Sequence, residues 1–180
     1  MERQTLNELV AEITQEFPAF ELIPKRGSIL MKVLDFLLKL ITFGQMRSFM
    51  TTFTTTIGSK VYTSSAWAGS SSVSRIITLR HERVHMRQKR KYTFLGFSIL
   101  YLFVPLPIGL AYFRKKFEME AYEESLRGLV EYHSIELVKR VRMRGQFVQY
   151  FITAQYLWMW PFRFAVERWY DGVVKELEKS

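Results

Sequence analysis

Residues 92–113 are twenty-two consecutive positions without a formal charge, and nothing else in this 180-residue chain narrows its fold as much. A run of that length can cross a bilayer as one helix. Pro105, Pro107 and Gly109 interrupt it, because proline removes a helical hydrogen bond and clashes with the preceding turn. Basic residues flank both ends (Lys89, Arg90 and Lys91 before it, Arg114, Lys115 and Lys116 after it), so charge asymmetry orients no span. The expectation is a turn at the prolines, with the resulting hairpin packed as core. The alternative is a hairpin dipped into a membrane, its basic ends on anionic headgroups.

The rest of the chain has the means to build a core. Apolar residues make up 48% of it, and a single domain over 1–180 is expected, with N-terminal helices in 1–48, a central unit in 49–136 and C-terminal helices in 137–180. There is no cysteine, which excludes a disulfide scaffold, a thiolate metal site and a cysteine nucleophile. The net charge of +9 favours acidic partners such as an anionic membrane surface or an acidic protein face. Nucleic acid is disfavoured, since no zinc finger, RNP motif or glycine-rich clamp accompanies the charge. Residues 1–16 lack the basic start and apolar stretch of a secretory signal, so the expected location is cytoplasmic or peripheral to a membrane.

Helical spacing of Leu6, Leu9, Val10 and Ile13 predicts a short amphipathic helix ended by Phe17 and Pro18. Gly27 and Ser28 then cap a helix over about residues 29–43. Its polar residues Lys32, Asp35, Lys39 and Thr42 form one narrow stripe. Such a helix is either mostly buried or laid on a membrane with the stripe outward, and fifteen residues favour burial over a span. Residues 50–64 are rich in threonine and read as a β-hairpin turning at Gly58 and Ser59. The serine and glycine cluster over 68–72 reads as a loop, and a basic helix continues through 137–144 until Gly145. The aromatic patch over 156–164 is expected to be packing surface. The fold class is therefore α+β and predominantly helical.

Residues 81–85 read His-Glu-Arg-Val-His. On a helix, positions i and i+4 share a face, so His81 and His85 can hold one metal ion while Glu82 reaches a metal-bound water without being a ligand. The surrounding residues 73–88 contain neither proline nor glycine and predict the required helix. The arginines around the motif read as a solvated face. A catalytic zinc keeps three protein ligands and an open position. The downstream candidates are Glu118, Glu120, Glu123, Glu124 and His133. Met119, Tyr122, Leu126 and Leu129 mark the buried face of a helix starting near Arg114, and Glu118 lies close to that face. Glu120 falls opposite, with Glu124 and Glu131, on an acidic stripe read as solvated. Geometry joins the two features. A straight helix over residues 92–113 would cover about 33 Å and leave the histidines and Glu118 beyond its opposite ends, too far apart for one ion.

HERVH with the later Glu118 and Ala121 resembles the gluzincin group of HExxH zinc metallopeptidases, whose third ligand is a glutamate in a Glu-x-x-Ala pattern on a later helix. Tyr122 stands where Asp is frequent in that group. The wider run LRHERVHMRQ with FEMEAYEESL is similar to small uncharacterised metallopeptidases of bacteria and their phages. The resemblance implies a zincin-like active-site helix preceded by a small β-hairpin or sheet. It also implies Zn2+ held by His81, His85 and Glu118, and hydrolysis of a protein or peptide substrate with Glu82 as general base and acid. A donor for the oxyanion is then needed. His133 is the candidate, with Tyr122 and Tyr132 as substitutes, and the 50–64 segment is the candidate edge to which substrate adds as a strand. The competing reading is a membrane- or assembly-associated protein whose zinc site is structural or vestigial.

Overall fold

The computed structural model describes residues 3–92, 111–153 and 159–179. The expected turn at the prolines, and residues 156–158 of the aromatic patch, lie outside them. Among the described residues are seven α-helices and a three-stranded sheet. None of the described helices is long and apolar enough to cross a membrane.

Helix α1, Leu6–Glu16, starts at a capping box in which Thr5 and Glu8 satisfy each other's backbone N–H groups, and it ends at Phe17. Leu9 and Ile13 are fully buried from it against Ile76, Leu79 and Met86 of helix α3, Ser72–Tyr92. Polar contacts fasten the same pair. Arg83, Arg87 and Arg90 of α3 all bond the Glu16 carboxylate, at 2.7–3.2 Å, and Arg83 also reaches Glu12. The arginine face read as solvated is instead the seam between two helices. Acids four residues apart on α1 meet arginines three and four apart on α3.

Strand β1, Glu21–Pro24, pairs in parallel with β3, Lys60–Thr63, and β2, Thr55–Ile57, pairs antiparallel with β3 on its other side. The hairpin turn falls at Gly58 and Ser59 as the composition predicts, and Gly58 takes φ +61, where a Cβ would be strained. β1 leaves no signal in the sequence, because a four-residue strand ending in proline has no periodicity to read. The loop expected over 68–72 is shorter, lying between a 3₁₀ turn, Ser65–Gly69, and the start of α3 at Ser72, and the Trp67 and Ala68 carbonyls of that turn accept bonds from Arg75 of α3.

Helix α2, Ile29–Ile41, begins at Ser28, whose hydroxyl accepts from the Met31 N–H. Its orientation overturns the expectation of burial. Met31 and Thr42 are fully buried and Asp35 is turned inward, whereas Ile29 is 78% exposed, Phe36 66% and Leu40 64%. Of its polar residues Asp35 and Thr42 turn inward while Lys32 and Lys39 stay exposed, and the charge that Asp35 feels inside is that of buried Lys25, at the end of β1. It donates to the Phe49 and Phe53 carbonyls at 2.8 and 2.7 Å, and burial still lowers its pKa to about 7 against the pull of Glu82 and Asp35.

Helix α4, Tyr112–Tyr132, packs along α3. Gly128 permits the approach, since a Cβ there would stand 3.0 Å from Ile77 Cγ1 of α3. Beyond it come α5, Ile135–Lys139, α6, Val141–Ile152, and α7, Arg163–Leu177. The chain bends at Arg140, and Gly145 lies inside α6, contrary to the expected break. The earlier bend lets Val138 share one core with Phe147, Val148, Phe151 and Tyr170, whose hydroxyl donates to the Val138 carbonyl at 2.6 Å.

Candidate metal centre

Two parallel constraints build this site, the face of α3 and its spacing from α4. His81, His85 and Lys89 follow one another at four-residue steps on α3 and so point the same way. Glu118 comes from the first half of α4, only 4% exposed, between buried Phe117 and Ala121. The two histidine Nε2 atoms stand 3.2 Å apart. The Glu118 carboxylate straddles them, with Oε2 3.7 Å from His81 Nε2 and Oε1 3.7 Å from His85 Nε2. Tetrahedral ligands bound at 2.0–2.1 Å are about 3.3–3.4 Å from one another, so the spacing suits one zinc-sized cation. These three residues are the group, among the described residues, whose donor atoms converge in a way that can hold a metal.

The far side of each imidazole decides what its near side offers. Gln88 Nε2 donates to the Phe117 carbonyl at 3.1 Å and to Glu120 at 2.9 Å, so its Oε1 is the atom that meets His85 Nδ1 at 3.0 Å. Nδ1 must then carry the proton. Ser125 Oγ donates to the Ala121 carbonyl at 3.3 Å and accepts from His81 Nδ1 at 3.1 Å. Burial, with His85 adding to it, pushes the His81 pKa down and favours the neutral ring. Both Nε2 lone pairs and a carboxylate therefore face one point. Without a cation that arrangement is repulsive, and with one it is a ligand set.

Glu82 is buried beside the cluster and outside it. Its Oε2 accepts a 2.6 Å hydrogen bond from Thr56 Oγ1 on β2, which aims the carboxylate from the sheet side. Lys89 donates to the Thr56 carbonyl, and burial lowers its pKa to about 8 while Glu82 and Glu118 oppose the shift. In the hairpin register Thr56 is opposite Val61 and one residue from the Ile57–Lys60 pair that closes the turn. The Thr56 backbone groups thus face the outer edge of the sheet.

The structure brings His81, His85, Glu82 and Glu118 together and leaves His133 elsewhere. His133 is exposed at the C-cap of α4, fifteen residues past Glu118 and so about 22 Å along the helix. Tyr132 is engaged at that same end, its hydroxyl donating to the Gln4 carbonyl. Tyr122 does reach the cluster, its ring edge-on to His81 at 4.6 Å between centroids. The acidic stripe of α4 is not simply solvated: Glu120 holds Gln88, and Glu131 accepts two bonds from Arg80. Thr56, Gln88, Lys89 and Ser125 went unrecognised in the sequence. For Gln88 and Lys89 a signal existed, three and four residues after His85 on its own face. Ser125 is seven residues after Glu118, again on one helical face, whereas nothing local marks Thr56.

No family model matches this chain, and no curated protein or solved structure matches it either.

Proposed function

We infer that this protein is a zinc metalloendopeptidase of gluzincin type, in which His81, His85 and Glu118 hold the ion. The observation that carries the reading is the convergence of two Nε2 lone pairs and one carboxylate, with a second carboxylate, Glu82, held beside them by Thr56. Zinc bound by such a set lowers the pKa of water to about 7 and polarises a carbonyl oxygen.

The chain's own residues supply the remainder. Glu82 takes the proton of the attacking water and later delivers it to the leaving amine, so one carboxylate serves as base and then acid. Thr56 keeps that carboxylate turned to the reacting face. Gln88 and Ser125 hold the imidazoles in the tautomer that leaves Nε2 free to bind. The outer edge of β2 offers backbone groups to an extended peptide, which would align its scissile bond along the cluster by strand addition. An extended substrate reaching that edge displaces the Lys89 ammonium from the Thr56 carbonyl.

The test is a Glu82→Gln variant assayed on an unfolded protein substrate. Wild type is expected to bind one zinc per chain and cleave. The variant is expected to keep the zinc and lose cleavage by at least about a thousandfold, the scale of losing a general base together with the water it positions. Zinc retained in both proteins, with no cleavage by wild type, would instead assign the ion a structural role.

A further inference from the structure

Helix α2 carries a face that the rest of the described chain leaves uncovered. Ile29, Val33, Phe36 and Leu40 line it, each at least half exposed, and it continues into Phe43, 91% exposed at the helix end. Phe43 holds φ +50 and Gly44 φ +77, so the chain accepts a left-handed aromatic residue while that ring points away from the protein. A contiguous apolar face of this kind marks a surface that meets another phase or partner.

The charges around it identify which. Over residues 26–47, the stretch that carries α2, the single acid Asp35 stands against Arg26, Lys32, Lys39 and Arg47, all four exposed. Asp35 is turned inward and tied to Lys39 at 2.6 Å. At 100° per residue Lys32 and Lys39 run along one rim of the apolar face, both exposed, with the Lys39 ammonium shared with Asp35. A second copy docked face to face and antiparallel would bring two such lysine rows together. An anionic bilayer instead accepts the apolar side chains below its headgroups and pairs with the lysines at headgroup level. We propose that α2 is an interfacial anchor, lying flat on an anionic lipid surface with the face of Ile29, Val33, Phe36 and Leu40 inserted and Lys32 and Lys39 at the phosphates.

The experiment uses the full chain and does not depend on peptidase activity. Because the protein has no cysteine, Phe36→Cys places one environment-sensitive fluorophore on the face. Vesicles of phosphatidylcholine alone and of phosphatidylcholine with phosphatidylglycerol are floated with wild type and with the double variant Phe36→Asp, Leu40→Asp. Both positions are exposed, and circular dichroism checks that the variants fold. Wild type is expected to float with the anionic vesicles, less so at high salt. The label is expected to shift to the blue on binding, and the double variant to bind at least about tenfold more weakly. The proposal is overturned if wild type does not bind anionic vesicles at low salt, or if the label stays unshifted while the protein floats. Equal flotation of the double variant overturns it as well, because the contact would then lie elsewhere. A wild-type dimer that the double variant converts to monomer, with no vesicle binding by either, assigns the face to a second copy.

Discussion

At the scale of single residues, the site depends on neutral side chains that hold charged or ligating ones. Gln88 is fixed by two acceptors and therefore dictates the His85 tautomer. Gln88→Met keeps the volume and removes that control. It is expected to weaken zinc about 10- to 100-fold in a competition titration against a chelator, with the helical circular dichroism unchanged. Thr56 acts on the other partner. Thr56→Val removes the hydroxyl that aims Glu82 while leaving the three ligands alone. The expected result is unchanged zinc affinity with kcat lowered about tenfold, and a parallel loss of zinc would contradict the separation of roles. The contrast explains what the sequence could reveal at this scale. His81, His85 and Glu118 stand out because few residue types ligate metals and their spacing follows helical geometry. A threonine twenty-six residues from its partner has no such signature, since only the packing of β2 on α3 makes the pair.

At the scale of elements, the seam between α1 and α3 rests on Glu16. The arginines around it, Arg87 first, hold its pKa down from 4.5 to about 2. A carboxylate depressed in the folded state stabilises it fully above its unfolded value, and that contribution is lost as the pH falls from about 4.5 towards 2. Glu16→Gln is expected to cost about 1 kcal/mol at pH 7, allowing for solvent screening of the exposed arginines, and nothing near pH 2. Urea unfolding at the two pH values measures it. Equal losses at both would show that the seam is held by packing alone. The helices were legible from apolar spacing, α1, α3 and α4 most clearly, because each presents a continuous stripe to a neighbour. The sense of α2 was not legible. Periodicity shows that Lys32, Asp35, Lys39 and Thr42 share a side, but not that Asp35 and Thr42 turn inward, near the buried ammonium of Lys25, while the two lysines stay at the exposed rim. The bend at Arg140 was hidden for a similar reason, since Val138 and Phe147 must reach one core from two directions.

At the scale of the whole molecule, α3 and α4 are neighbours in space although an uncharged stretch separates them in sequence, and Gly128 sets how closely they approach. That closeness brings Glu118 to the two histidines of the motif in a group that could hold a metal ion, and the expectation that the chain returns Glu118 to the histidines agrees with it. The α+β class with a predominance of helix was legible from composition and periodicity. The parallel pairing of β1 with β3 was not, because it joins segments about forty residues apart. The proposed centre is a single zinc ion bound by two imidazoles and one carboxylate. X-ray absorption on zinc-loaded protein, with metal content measured on the same sample, tests it most directly. The expected result is one zinc per chain with two imidazoles in a shell of nitrogen and oxygen donors at about 2.0–2.2 Å, and weakened binding in Glu118→Ala, where water takes the place of the carboxylate. Substoichiometric zinc in wild type, or a zinc affinity that Glu118→Ala leaves unaltered, would contradict it.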